Sequence, residues 1–336
     1  MFTFAGKLHI NNFSCIMANV IKIKKGLDIN LKGKASDVLL NGGKSESYAI
    51  VPDYYNGILP KVVAKVGEKV KAGSVLMIDK NRPEIKFVSP VSGEVTAVNR
   101  GEKRKVISIV VKPDAQIEYE EFGKKNVASL QGAEVKEVLL NAGMWPFIKQ
   151  RPYDIVAAPL DTPRDIFVSA FYSAPLAPNF DFIVKGQEAD FQTGLNALAK
   201  LTNGKVYVGV RSGSVVSGMK GVEIVEVEGP HPAANVGVQI NHIKPVNKGE
   251  VVWTVNPADV IVIGRLFNKG VADFSRMVAI TGSETTERGY VKTISGCTIK
   301  SLVNGKVLGQ EHIRIISGNV LTGTKVNMDG DRKSVV

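Results

Sequence analysis

The stretch "GPHPAANVGVQINHI" (229–243) holds two of the chain's four histidines, His231 and His242, with two prolines, two glycines and two asparagines. A catalytic zinc needs about three protein ligands and a structural one four. His231 and His242 have no helical H-x-x-x-H spacing, the nearest carboxylates (Glu226, Glu228) belong to a strand, and neither cysteine is near in sequence. No G-x-S-x-G elbow offers a nucleophile. The residues therefore predict neither a metal site nor a catalytic one. They predict a rigid, mostly buried connection between an α/β layer and a β-rich end. Pro230 and Pro232 stop the strand "VEIVEVEG" that runs into it, because proline gives a ladder no donor. "VGVQI" (236–240) alternates apolar with small or polar residues, so it can lean on a core as extended chain.

Upstream, strands and helices alternate. "AEVKEVLLNAGMWPFIKQ" (133–150) places Val135, Val138, Leu139 and Ala142 at helical spacing, and Gly143 and Pro146 mark the end of that helix. "YDIVAAPL" (153–160) and "DIFVSAFY" (165–172) are continuous apolar runs, as expected of strands buried on both faces. "QEADFQTGLNALAKLTNG" (187–204) reads as a helix capped by Gly204, and "KVYVGVRSG" (205–213) and "GVEIVEVEG" (221–229) as strands. Such alternation implies a Rossmann-like parallel sheet. Neither nucleotide fingerprint is present, and "GVRSGSVVSGMKG" (209–221) fits neither spacing, which leaves a flexible turn as its reading.

Before this layer, residues 48–112 are rich in valine and isoleucine and cut at short intervals by turn residues. Two halves echo each other. Each runs from a proline to a glycine (Gly57, Gly93), along a strand, to a Gly-Glu-Lys turn (Gly67, Gly101) and into another strand. Two such halves can clasp and cover one another's edges. The stretch resembles the biotinyl/lipoyl carriers, a barrel-sandwich hybrid. Lys80 in "LMIDKNRPEIKF" occupies the place of their cofactor-bearing lysine, although Arg82 and Pro83 depart from the carrier pattern. The other reading is a solvated, unmodified lysine on a polar hairpin tip formed with Asp79, Asn81 and Arg82. After Gly264, "RMVAITGSE", "GYVKTISGCTIKSLV" and "HIRIISGNVLTG" are β-rich again, with glycines at the turns.

Composition narrows the classes. The chain has 336 residues, 44% of them hydrophobic, enough for two or three domains with real cores. No apolar run approaches the roughly 18 residues of a membrane-spanning helix, so a soluble or peripheral protein is expected. Net charge is +11, which favours anionic lipid, acidic partners or nucleic acid. Aromatics are 7% and none interleave with the lysines as base-stacking platforms require, so no nucleic-acid partner is expected. Cys15 and Cys297 are the only cysteines, too few for a disulfide framework or a cysteine-rich metal site, and a reducing cytoplasm is the simplest compartment. The segment before Met17 does not read as a signal peptide and is taken as an extension.

The run "EGPHPAANVGVQINHIKPVNKGEVVWTVNPADVIVIGRLF" resembles the NqrA subunit of the bacterial Na+-translocating NADH:quinone oxidoreductases (Na+-NQR). So do "IKIKKGLDINLKGKA" (21–35), "FVSPVSGEVTAVNRGEKR" (87–104) and "GRLFNKGVADFSRMVAITG" (264–282). The resemblance runs from residue 20 to about 324. It implies an α/β multidomain chain divided as follows: extension 1–19, barrel-sandwich domain 20–115, Rossmann-like α/β domain 116–229, connecting segment 230–263, and β-grasp domain of the soluble-ligand-binding (SLBB) type 264–326. It implies a peripheral subunit on the cytoplasmic face of the bacterial inner membrane, docked to the other subunits of a complex that uses NADH, flavins, an iron–sulfur centre and quinone and exports Na+. It implies no cofactor, metal or catalytic residue on this subunit itself; its role is scaffold and quinone-proximal surface. The domain plan is also similar to the flavin- and NADH-binding subunit of respiratory complex I, without that subunit's glycine-rich segment and cysteine cluster. The family normally continues into a helical carboxy-terminal region, so a truncated chain is expected here. A quinone head wants an apolar slot with one or two donors. His231, Asn235, Asn241 and His242 are the candidate donors, beside Val236, Val238 and Ile240. The alternative is a stand-alone carrier modified at Lys80, or a soluble-ligand-binding protein.

Overall fold

The computed structural model describes residues 19–309 and 313–327; the extension read over 1–19 falls almost wholly outside them. The first strand, β1 (Asn19–Lys22), and the second, β2 (Leu39–Leu40), belong to sheets other than that of the domain they precede. The barrel-sandwich follows: β3 (Tyr48–Ile50), β4 (Pro60–Val62), β5 (Lys69–Val70), β6 (Val75–Asp79), β7 (Lys86–Val88), β8 (Gly93–Arg100) and β9 (Val106–Pro113). They form two facing sheets, in the orders β3-β9-β8-β5 and β4-β6-β7. Leu76, Ile85, Val91, Val95, Ile109 and Val111 fill the space between them and are fully buried. The two halves differ at their echoed turns. Gly67 takes φ +85, the left-handed region that suits glycine, whereas Gly101 stays extended and Lys103 and Arg104 carry the positive φ.

The central layer contains α1 (Gly132–Asn141), β10 (Ile148–Arg151), β11 (Ile155–Val156), β12 (Ile166–Ser169), α2 (Phe180–Val184), α3 (Glu188–Ala199), β13 (Val206–Val210), β14 (Glu223–Glu228), α4 (Val236–Ile243), β15 (Val252–Val255) and α5 (Pro257–Lys269). Its seven strands run in the order β1-β14-β13-β12-β15-β10-β11. From β1 to β15 all neighbours are parallel, while β10 and β11 add an antiparallel edge. Both faces are covered. Ile166 and Val168 of β12 join the core of α3 and α5, and Phe167 between them packs with Ile240 of α4 on the other side. Helices α3 and α5 cross backbone to backbone. A Cβ on Gly194 would strike the carbonyl of Val260, and one on Gly264 the carbonyl of Asp190.

Several expectations change here. Residues 236–243 are helical, not an extended segment. Val236, Ile240 and Ile243 recur at helical spacing and meet Phe167, while Val238 packs with Ala233. An apolar residue at every second place over five residues fits either period, and the underlying sheet decides. Residues 230–263, expected as a connection, supply α4, β15 and half of α5 to the layer, so the turn at 229–235 lies inside the α/β layer. It is half-buried rather than mostly buried. "YDIVAAPL" yields only the two-residue β11 at the sheet's outer end, with Tyr153 77% and Leu160 93% exposed. Helix α1 ends at Asn141, and residues 148–151 of the expected helix are β10. Gly204 does not cap α3, whose C-cap is Lys200; it passes against the Arg164 carbonyl.

The last unit contains β16 (Ser275–Ile280), β17 (Gly289–Ile294), α6 (Ile299–Val303) and the hairpin β18 (Ile315–Ser317) with β19 (Thr324–Val326). Its sheet, β16-β17-β2, is completed by the N-terminal segment. That segment threads all three units. Strand β1 joins the α/β sheet, the Gly33 carbonyl accepts from Gly282 N–H at 2.9 Å, β2 joins β17, and β3 opens the barrel-sandwich. Buried polar contacts add to the join. Arg276 of β16 pairs with Asp259 of α5 at 2.6 Å, both nearly sealed from solvent. The Tyr290 hydroxyl accepts from Asn179 N–H at 2.6 Å, and burial raises its phenol pKa.

Candidate functional site

The parallel strands reverse their direction of winding between β12 and β15, and open α/β sheets bind ligands in the crevice outside such a switch point. A cavity of about 660 Å³ lies there. One wall is the loop 172–178 after β12, "YSAPLAP", in which Leu176 takes φ +59. The floor is Asn256, which ends β15 and caps α5 through its side chain (Oδ1 accepts from Ala258 N–H at 3.0 Å). Tyr172 hydroxyl donates to the same oxygen at 3.3 Å. The N-terminus of α4 contributes Ala234 and Asn235, and the β-grasp unit closes the far wall with Val278, Ile280, Leu302 and Ile315. Ser317 also lines the crevice; its hydroxyl is buried and makes no hydrogen bond with the chain.

The opening stretch is the crevice's support. His231 Nδ1 lies 3.1 Å from Ser173 Oγ, which also accepts from Ala234 N–H at 3.0 Å. His231 N–H donates to Asp28 at 2.8 Å, and its carbonyl accepts from Leu27 N–H at 2.9 Å. Behind it, buried Gln239 donates to Ser169 Oγ at 2.9 Å and to the Ala233 carbonyl at 3.1 Å. Its side-chain amide fills the space where a Cβ on Gly209 would sit. The four candidate donors therefore separate. Asn235 lines the crevice and leaves its side chain free of the α4 cap, whereas His231 acts one residue back, through Ser173. Asn241 and His242 are exposed along α4 and do not line it; His242 Nδ1 lies 2.9 Å from the Val238 carbonyl. Sequence reasoning missed Tyr172, Asn256 and Ser317. The signal for Asn256 was present in "NPADV", an Asn N-cap before a Pro at the first helical position.

Lys80 sits exposed at the β6–β7 tip, but that tip is not the loose polar turn expected. Asp79 is 1% exposed and accepts from Leu59 N–H, Asn81 N–H and Arg82 Nε. Arg82 reaches on to the carbonyls of Val156 at 3.1 Å and Gly57 at 2.8 Å. Arg82 therefore clamps the tip to the α/β layer, where a swinging carrier domain would need it free. Cys297 is buried beside Tyr48, Cys15 lies outside the described residues, and among the described residues no three His, Cys, Asp or Glu side chains gather as metal ligands.

Comparison with known proteins gives three matches in chain order: the NqrA N-terminal barrel-sandwich hybrid domain over 21–114, the NqrA second alpha/beta domain over 130–272, and the NQRA C-terminal domain over 277–328. The chain belongs to the NqrA family of Na(+)-translocating NADH-quinone reductase subunits. Relatives named as this subunit include one from Photorhabdus laumondii, 37% identical over 91% of this chain and 69% of its own. Others are from Hahella chejuensis (38%, 90% and 69%) and Neisseria meningitidis serogroup A (36%, 90% and 69%). The family's α/β domain ends at 272, where β15 and α5 place it, and not at 229. Among solved structures, an NAD+-reducing [NiFe]-hydrogenase aligns with 47% of this chain and 35% of its own at TM-score 0.33 and 12% identity, too partial a likeness to bear on the fold.

Proposed function

We propose that the chain works as the NqrA component of a Na+-translocating NADH:quinone reductase. It is a peripheral subunit, held at the cytoplasmic face of the inner membrane by the other subunits, that supplies scaffold and a quinone-proximal surface. Family membership across all three units carries this reading. Among the described residues no helix is long and apolar enough to cross a membrane, so attachment by docking fits. Electron carriers are assigned to the other subunits, because two cysteines cannot supply the four thiolates of a typical iron–sulfur cluster. For quinone, the switch-point crevice is the surface of choice. It is mostly apolar, its volume lies in the range of small-molecule sites, and Asn235 stands at its edge as a donor for a ring carbonyl. His231 holds Ser173 and Ala234 in place; Asn241 and His242 face solvent and take no part.

The test is photo-crosslinking of a quinone analogue in the assembled complex. Labelling within 172–178 and at Ala234 or Asn235, reduced by Asn235→Leu, is the expected result. Labelling confined to other subunits, or to Asn241 and His242, overturns the quinone assignment and leaves the chain's place in the complex standing.

A further inference from the structure

Residues 23–34, "IKKGLDINLKGK", cross from β1 to the β-grasp unit as an extended strap outside any described sheet. Its inward side is fixed by contacts. Gly26 lies against the His231 carbonyl, Leu27 N–H donates to that carbonyl, and the Asp28 carboxylate accepts from His231 N–H. Successive side chains of extended backbone point to opposite sides. With Gly26 and Asp28 turned inward, Leu27, Ile29 and Leu31 form a row facing out, and they are 69%, 42% and 43% exposed. Lys24, Lys25, Lys32 and Lys34 flank the row and are all exposed, while the one carboxylate between them, Asp28, is engaged with His231. Lysines along an edge would by themselves only discourage other chains from pairing there. An outward aliphatic row between them does the reverse, so edge protection does not explain the strap.

We propose that this strap seats on an anionic lipid surface, with Leu27, Ile29 and Leu31 entering the interfacial region and the four lysines meeting headgroup phosphates. Composition favours lipid over protein. Protein interfaces concentrate aromatic residues and arginine and exclude lysine, and 23–34 contains four lysines and neither aromatic nor arginine. Aliphatic insertion beside lysines whose long stems keep the charge at the surface is the pattern of interfacial anchoring. The net charge of +11 has the complementary sign. The proposal stands on the strap's own geometry, and the test below uses the full chain without its partners, so its failure does not touch the chain's place in the complex.

The measurement is sedimentation of the full chain with vesicles of equal parts phosphatidylcholine and phosphatidylglycerol, against phosphatidylcholine alone. Binding to the anionic vesicles only, weakened by salt, is expected. Lys25→Gln with Lys32→Gln should weaken it about twenty-five-fold, at about fivefold per lysine. Leu27→Ser with Ile29→Ser should weaken it at least about tenfold with the charge intact. All four side chains are exposed, so melting temperature should not move; the single Lys32→Gln change, about fivefold, serves if a double variant folds poorly. Equal binding to both vesicle types, or variants that bind like the parent, overturns the proposal. So does normal vesicle binding by variants that fail to enter the complex, which would make the strap a protein contact.

Discussion

Replacing Arg276 by alanine should loosen the join between the α/β and β-grasp units more than any exposed change. Its guanidinium pairs with Asp259 at 2.6 Å, donates to Ser295 Oγ at 2.5 Å and lies over the Phe147 ring at 5.2 Å. Both members of the pair are buried, with side chains 4% and 3% exposed. Removing one partner leaves a buried charge uncompensated, which costs about 3–5 kcal/mol. Over a chain of this length that is roughly 4–7 °C in melting temperature. Burial raises the Asp259 pKa and Arg276 holds it down, so losing Arg276 raises it further. A group with a raised folded-state pKa contributes stability below its unfolded value and loses it as pH rises. The deficit of Arg276→Ala should therefore be smallest near pH 4 and grow toward neutrality. Asp259→Leu with Arg276→Met should recover most of it, because an apolar pair replaces a buried ion pair at little cost. Urea unfolding at both pH values measures this. A deficit under about 1 kcal/mol, or one that grows on acidification, would refute the reasoning.

His231→Ala should cost about 1 kcal/mol, the worth of the ring's bond to Ser173, since the main-chain bonds to Leu27 and Asp28 survive; thermal melting checks it. Gly264→Ala should cost about 1–3 kcal/mol or more by forcing α3 and α5 apart, read as a shifted urea midpoint. Lys80→Ala should change stability by less than about 0.5 kcal/mol, whereas Arg82→Ala should cost about 1.5–3 kcal/mol by stripping its bonds to Asp79, Gly57 and Val156; equal effects in parallel melts would remove the clamp from consideration. Burial pushes Asp273 up, but Arg265, Lys269 and Ser275 outweigh it and hold its pKa at about 2. Its contribution is present above the ordinary value of 3.8 and lost as pH falls toward about 2, so Asp273→Asn should flatten the acid limb of a stability–pH curve.

Much of the fold was legible because burial imposes period and composition together. "DIFVSAFY" is apolar at every place because β12 is central, with helices on both faces. Val135, Val138 and Leu139 show helical spacing because α1 buries one face. What failed lies where distant chain decides. Val236, Val238 and Ile240 suit strand or helix, and only Phe167 beneath them selects the helix. "YDIVAAPL" looked central, but the sheet's end leaves Leu160 in solvent. Strands β1 and β2 were invisible as parts of other domains, since their partners, β14 and β17, lie some 200 residues or more along the chain. The candidate site was half legible. The turn at 229–235 announced a structured place, yet Tyr172, Asn256 and Ser317 join Asn235 only through the sheet's switch point, which no local pattern encodes.

The most direct test of the proposed role is affinity purification of the tagged full chain from detergent-solubilised membranes of its native host, assayed for Na+-stimulated NADH:quinone reductase activity. The expected result is that the other subunits and the activity are recovered with the chain in constant proportion. Recovery of the chain without reductase subunits, with the activity left behind in full, would contradict its placement in that reductase.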